Sequence, residues 1–292
     1  MSEKTIVTAV AGDSYFRMAV ALMLSIENVG TPKSIKKRIF CYDTDISKYH
    51  LPECIEVVTI SHNTTNDKFA NRRIKSDCLV HQSVKNSDVI FLDADCIVYD
   101  NIFPHLFDLL RKYSVLTIIK ALSENVPTRQ RNRIKNGVLI NEEFFICKAA
   151  RHLYSSIANI HTNGGLYGRA DDEVGHKFAK LFHETLLNRP FFIFEENESF
   201  FTMKPYLSYA YQVATEYALN NQIPIINTKE KCIYSTDVNN QINHGDNGIL
   251  HAVTPTGQIL HQLSIVHYVK KDVNYINIVN KMLEEHGIMT YD

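Results

Sequence analysis

The sequence predicts an α/β fold: a mostly parallel central sheet flanked by helices, in a single domain. Three observations carry this. Short apolar, β-branched runs alternate with helical stretches over the first hundred residues, the strand–helix–strand order of a parallel sheet. The chain has 292 residues, 45% of them hydrophobic and 22% charged, as in an ordinary folded protein of one large or two small domains. No Pro/Gly/Ser-rich linker separates two cores, so a single domain is expected.

Residues 4–11 (KTIVTAVA) read as a buried strand, and Gly12-Asp13-Ser14 as the turn after it. Residues 15–26 are apolar all round and read as a buried helix, stopped by Thr31-Pro32. Residues 38–42 and 56–60 are the second and third strands, 71–84 a helix, and 88–98 (DVIFLDADCIV) contain the fourth strand. Ligands of such sheets bind beyond the carboxyl ends of the strands. The first turn and the acids after the fourth strand therefore share the ligand edge. Further on, 115–119, 137–147 and a segment near Leu166 read as strands, and 127–135 as a polar, basic loop. Residues 171–187 form an amphipathic helix with Asp171, Asp172 and Glu173 in its first turn. Residues 206–220 read as a helix, 239–257 as an Asn/Gly-rich loop, 260–269 as a late strand and 273–285 as a closing helix.

With 31 Lys+Arg against 32 Asp+Glu the net charge is −1. This excludes a globally basic nucleic-acid binder but not a local basic patch. No apolar run approaches the roughly 20 residues needed to span a bilayer, and the N-terminus lacks the basic-then-apolar pattern of a signal peptide. The six cysteines include no CxxC pair, and several lie in apolar runs as buried thiols do. A cytoplasmic, reducing compartment is expected.

The sharpest chemical feature is Phe91-Leu92-Asp93-Ala94-Asp95. Side chains two apart on an extended strand point the same way, so Asp93 and Asp95 converge. Two desolvated carboxylates are costly without a positive partner, and hard oxygen donors suit Mg²⁺ or Mn²⁺. The bland alternative is a strand end where one Asp caps a turn and the other is solvated. The run Arg129, Arg131, Arg133 and Lys135 places four cations at every second residue. It reads as a solvated loop or as a contact for an anionic acceptor, DNA included.

Residues 88–102 resemble the metal-binding strand of GT-A glycosyltransferases, in particular the glycogenin-like group called family 8: an apolar strand, a DxD, then an Asn with an aliphatic neighbour, here Asn101-Ile102. Thr8-Ala9-Val10-Ala11-Gly12-Asp13-Ser14-Tyr15 resembles the family's first strand and turn, T-x-A-x-N-D-x-Y, with Gly12 in place of Asn. Ile265-Val266-His267-Tyr268 resembles the late strand whose His completes the metal site, although the K-P-W continuation is absent and His251 and His261 compete for the role. Asn163-Gly164-Gly165 resembles an N-x-G turn that contacts the donor sugar; Asn136-Gly137 is a competing match. Thr215-Glu216 stands where the family has Asp-Gln in a helix facing the reacting sugar. Lys75 or Arg72 stands where related enzymes carry a cation near the diphosphate, and Lys270 and Lys271 near the phosphate-contacting groups.

The resemblance implies one GT-A domain over 1–292: a nucleotide-binding half (1–110), an acceptor half with the late metal-ligand strand (111–270) and a C-terminal helix (271–292). It implies a metal-dependent, retaining transferase moving a sugar from a nucleotide-sugar, most simply a UDP-sugar, to an acceptor hydroxyl. Asp93, Asp95 and His267 would hold Mn²⁺ or Mg²⁺. Tyr15, Ala9, Ala11, Gly12, Asp13, Lys75, Asp93, Ala94, Gly164, Gly165, Lys270 and Lys271 would contact the donor, and Asn163 and Glu216 would face the sugar. Whether Glu216 is a nucleophile or an ion-pair stabiliser stays open. The acceptor would be a glycan or protein, with modified-base DNA the lesser choice. A sugar nucleotidyltransferase and a non-catalytic nucleotide-sugar-binding module are the rival readings.

Overall fold

The structure, a computed structural model, describes residues 2–60, 70–122, 132–135, 138–141, 160–187, 226–227, 233–235, 241–244, 250–253, 259–262, 264–268, 271 and 273–288. The main sheet has seven strands. They are β1 (Glu3–Ala11), β2 (Ile35–Tyr42), β3 (Ile55–Ile60), β4 (Ser87–Leu92), β6 (Val115–Leu122), β9 (Ile160–Arg169) and β10 (Ile226–Asn227), in the order β10-β6-β9-β4-β1-β2-β3. β1 runs parallel to β2 and β4, β2 to β3, and β10 to β6. Only β9 is reversed, pairing antiparallel with β4 and β6. The sheet is thus mostly parallel, as the alternating apolar runs predict.

Helices cover both faces: α1 (Asp13–Asn28), α2 (Ala70–Val80), α3 (Phe103–Tyr113), α4 (Glu173–Leu187) and α5 (Val273–Glu285). The period-2 geometry of a strand splits each one between two cores. Ile90 and Leu92 of β4 join Leu22, Phe107 and Leu283 in one, while Val89 and Phe91 join Leu79 and Phe182 in the other. Helix α1 is apolar all round because it is buried between β1, β2, the short strand β5 (Cys96–Val98) and α5. Its one buried hydroxyl is satisfied twice: Ser25 Oγ donates to Leu22 O at 2.6 Å and accepts from Val98 N at 3.0 Å.

β5 belongs to a second sheet, ordered β11-β15-β5, with β11 (Ile233–Ser235) parallel and β5 antiparallel to β15 (Ile265–His267). Three expectations are corrected at this level. The 239–257 stretch is not simply loop, since β12 (Gln241–His244) and β13 (Leu250–Val253) pair within it, with β14 (Ile259–Gln262) on the far side of β13. The late strand is two strands, β14 and β15, in different sheets. Part of the basic 127–135 loop is strand β7 (Asn132–Lys135), paired with β8 (Val138–Asn141). Backbone pairing across the sheet overrides the local polar composition in these cases. The expected helix over 206–220 lies outside the described residues.

Arg169, at the end of β9, is 1% exposed. It donates Nε to Leu79 O (2.9 Å), Nη2 to Val84 O (2.6 Å) and Nη1 to Ser87 O (2.8 Å). One guanidinium therefore fastens β9 to the end of α2 and to the chain leading into β4. Desolvation lowers its pKa, against the raising effect of Asp171 and Asp88 nearby, and guanidinium stays charged even so. Arg169→Met would strand these carbonyls at roughly 1–3 kcal/mol each. The expected loss in urea unfolding is at least about 3 kcal/mol, and a loss under about 1 kcal/mol would remove Arg169 as the fastener.

Candidate functional site

β1 and β4 end on the same edge of the sheet. At β4 the backbone does not stay extended through the DxD, contrary to the simple alternating picture. The strand ends at Leu92, and Cys96 N donates to Asp93 O at 3.0 Å, closing a turn over residues 93–96. The carboxylates still converge, because the turn folds Asp95 back beside Asp93. His267, at the end of β15, completes the group. Its register partner is Cys96, and Tyr268 N donates to Asp95 O at 2.8 Å.

His267 Nε2 lies 3.1 Å from Asp95 Oδ1 and 3.5 Å from Asp93 Oδ2. Two lysines close the outer side of the pair. Lys75 Nζ lies 2.5 Å from Asp93 Oδ1, and Lys271 Nζ 3.1 Å from Asp95 Oδ2. Burial opposes ionisation of Asp95, but the bond from His267 and the charges of His267 and Lys271 outweigh it and hold the carboxyl well below its ordinary range. Asp93 and His267 are buried. Asp93 Oδ1 and His267 Nδ1 are both without an aligned hydrogen bond, the former facing Lys75 through charge alone.

These residues fit a divalent cation. An octahedral ion with bonds of about 2.1 Å spaces adjacent donors about 3 Å apart, close to the 3.1 and 3.5 Å found here. Two carboxylate oxygens and an imidazole nitrogen suit Mn²⁺ or Mg²⁺. Cys96 Sγ also lies within 4.8 Å of donor atoms of Asp95 and His267. It is fully buried, however, and burial first, then Asp95 and Asp93, push its thiol well above the ordinary range. A soft sulfur donor suits Mn²⁺ or Mg²⁺ less than carboxylate and imidazole do, which makes the acids and the histidine the candidate ion-holding set. Of the competing histidines, His251 and His261 lie on β13 and β14 in a separate sheet; His267 is the one beside the acids.

The β1–α1 turn brings the N-terminal residues alongside. Gly12 has φ +83° and ψ 157°, a region that essentially only glycine adopts, so a backbone requirement explains why no Asn stands here. Gly12 N donates to Thr44 Oγ1 at 2.9 Å, and Asp13 pairs with Lys48. Tyr15 is 48% exposed, and Lys271 Nζ stands 5.2 Å from its ring centre, within cation–π range. Lys271 therefore links the aromatic of the first turn to Asp95. Ala9 and Ala94 are buried and Ala11 half-buried beside them. A cleft of about 560 Å³ adjoins this turn, bordered by Arg17, Lys48, Lys271 and Tyr275.

β9 delivers the Asn-Gly-Gly segment. Leu166 pairs with Leu92, so Gly165 falls beside Asp93, and Asp93 N donates to Gly165 O at 3.0 Å. On the other side Thr117 pairs with Tyr167 but Ile118 with Asn163, so residues 164–166 have no partner on β6. This bulge places the glycines at the acids, the re-aiming bulges often provide. Asn163 pairs with Ile118 at the start of this bulge. Tyr167 OH donates to Lys75 O at 2.8 Å, tying α2 and its lysine to the same strand.

Asn101 braces a turn instead of facing the acids: its Nδ2 donates to Gly30 O at 3.1 Å. Sequence reasoning missed Tyr275, which stacks on Tyr268 at 4.8 Å and directs its hydroxyl to Ala94 O at 3.5 Å. A closing helix with one aromatic in an amphipathic pattern gives no signal of this. Glu216, Lys270, Arg129, Arg131 and Asn136 lie outside the described residues; Arg133 and Lys135 lie on β7.

No family model and no curated protein sequence matches the chain. Solved structures do. An active-site mutant of LgtC is 12% identical with a TM-score of 0.54, covering 99% of this chain and 97% of its own. The galactosyltransferase LgtC in complex with donor and acceptor sugar analogs is 11% identical, TM-score 0.53, with the same coverages. The bifunctional glycosyltransferase WbbM is 11% identical, TM-score 0.55, and matches 97% of this chain but 51% of its own. At these identities the likeness establishes architecture, and the chain has the GT-A fold that its spaced motifs resemble.

Proposed function

We propose that the protein is a metal-dependent glycosyltransferase that moves a sugar from a nucleotide-sugar, a UDP-sugar in the first instance, to an acceptor hydroxyl. The observation that carries this is the convergence of Asp93, Asp95 and His267 with Lys271 and Tyr15 on one sheet edge. Similarity in fold to glycosyltransferases supports the same reading.

In this reading Asp93, Asp95 and His267 hold Mn²⁺ or Mg²⁺, which when bound stabilises negative charge on the departing diphosphate. Tyr15 flanks the base, and the backbone of residues 9–13 approaches the nucleotide. Lys271, with Lys270, turns to the diphosphate; Lys75 orients Asp93 and faces the same charge. Asn163, Gly164 and Glu216 face the sugar. Residues 1–110 are then the nucleotide half, 111–270 the acceptor half with the late ligand strand, and 271–292 the closing segment. Transfer with retention is the expected stereochemistry, and a glycan or protein the expected acceptor.

UDP with Mn²⁺ is expected to raise the melting temperature, and Asp95→Ala to abolish the rise in a thermal-shift measurement. A rise retained in Asp95→Ala removes that carboxylate from the ion site. A donor screen should show UDP release, with hydrolysis as background. Pyrophosphate release would identify a nucleotidyltransferase, and binding without turnover a non-catalytic module. An acceptor screen that turns over only nucleic acid would move the acceptor to the basic 129–135 run.

Lys271→Ala removes a charge-assisted contact worth roughly 1.5–3 kcal/mol. The affinity for UDP measured by calorimetry should fall about ten-fold or more while that for uridine changes little. Equal losses for the two would take Lys271 off the diphosphate.

A further inference from the structure

We propose that Gly165 is a positioning residue for the ion site: its missing side chain sets where the His267 imidazole lies against Asp93 and Asp95. This rests on the reading of those three residues as ion ligands. A Cβ built on Gly165 would stand 2.7 Å from His267 Nδ1, 3.1 Å from Cε1 and 3.4 Å from Cγ. Real Cβ atoms do not come within 3.0 Å of a neighbour, so something must shift.

Neither side has slack. His267 ends β15, which is paired with β11 on one side and β5 on the other, and its ring is buried. Gly165 O holds Asp93 N at 3.0 Å, and the next residue is registered against Leu92. Gly165 is not among the glycines with positive φ, which among the described residues are Gly12, Gly30 and Gly287. Backbone freedom therefore does not explain it, and the space taken by the imidazole does. The ring stands with Nδ1 over Gly165 and Nε2 toward both carboxylates. One residue thereby fixes two ligands: its carbonyl anchors the backbone of Asp93, and its bare Cα seats the ring of His267. Metal–ligand distances are expected to hold within about 0.2 Å, and relieving the 2.7 Å contact to 3.0 Å or more would move the ring or the strand by more than that.

The test is Mn²⁺ titration, read by the electron paramagnetic resonance of the free ion, on wild type, Gly165→Ala, His267→Ala and the double variant. Gly165→Ala should weaken Mn²⁺ about 10- to 100-fold, the range for residues that orient ligands. Added to His267→Ala, it should change the affinity less than about two-fold, since the ring it displaces is gone. Unchanged affinity in Gly165→Ala overturns the proposal. So does an equal loss in the His267→Ala background, which would place the effect on Asp93 or the strand. A wild type that binds no Mn²⁺ overturns the ion-site reading itself and this proposal with it, an outcome separate from the other two. Should Gly165→Ala fail to fold, circular dichroism melts of the double variant decide. Recovery to the melting point of His267→Ala supports the steric seat, and continued misfolding overturns it.

Discussion

The arrangement depends on one constraint: two carboxylates at the end of a fully buried strand must be neutralised where they stand. β4 is buried along its length and apolar from Val89 to Leu92, so the turn at Asp93 and Asp95 has little water to draw on. An uncompensated charge in such a place costs several kcal/mol. The compensation comes from three elements. Lys75 arrives from α2, His267 from β15 and Lys271 from the chain just before α5. Each must be placed before the acid pair is tolerable, so the site and the fold are specified together.

The sheet explains how residues so distant in sequence meet. Parallel strands put the ends of β1 and β4 on a common edge, and the reversed β9 enters the sheet from that edge. Its bulge at residues 164–166 then lays glycine backbone against Asp93 instead of pairing it with β6. The second sheet performs the last step. β5 leaves the turn, β15 pairs with it antiparallel, and that pairing puts His267 opposite Cys96 and beside Asp95. A histidine elsewhere in the late part of the chain has no such route to the acids.

Much of this was legible in the residues themselves. The apolar runs mark β1, β2, β3 and β4, the break at Thr31-Pro32 falls just beyond α1, and Asp93-Ala94-Asp95 marks the site. The identity of His267 over His251 and His261 came from its neighbours, and the sheets separate them. What was not legible depends on contacts made at a distance. The DxD turns instead of staying extended because β5 must leave for another sheet. The glycines at 164 and 165 mark a close backbone approach, but the crowding of Gly165 by His267 is set by residues a hundred positions apart. Tyr167 offers no sequence sign that its hydroxyl fastens Lys75. β12 and β13 escape a composition argument because pairing, not residue preference, makes them strands.

The lysines give the proposed chemistry a direction. Lys75 and Lys271 balance Asp93 and Asp95. If Asp93 and Asp95 hold a divalent cation, the two lysine charges would compete with it. Lys271 has somewhere to go, because it also stands over Tyr15 at the turn after β1. Under the proposed function a diphosphate bound there would take up the Lys271 charge and leave Asp95 available to hold the ion, whose charge would in turn favour the diphosphate. Each ligand removes the obstacle to the other, so under the proposed function their binding is mutually favourable, and by linkage equally so in both directions. Lys75 has a different place in this exchange. Its backbone is held by Tyr167 and its charge by Asp93, which keeps one carboxylate oriented while the other changes partners.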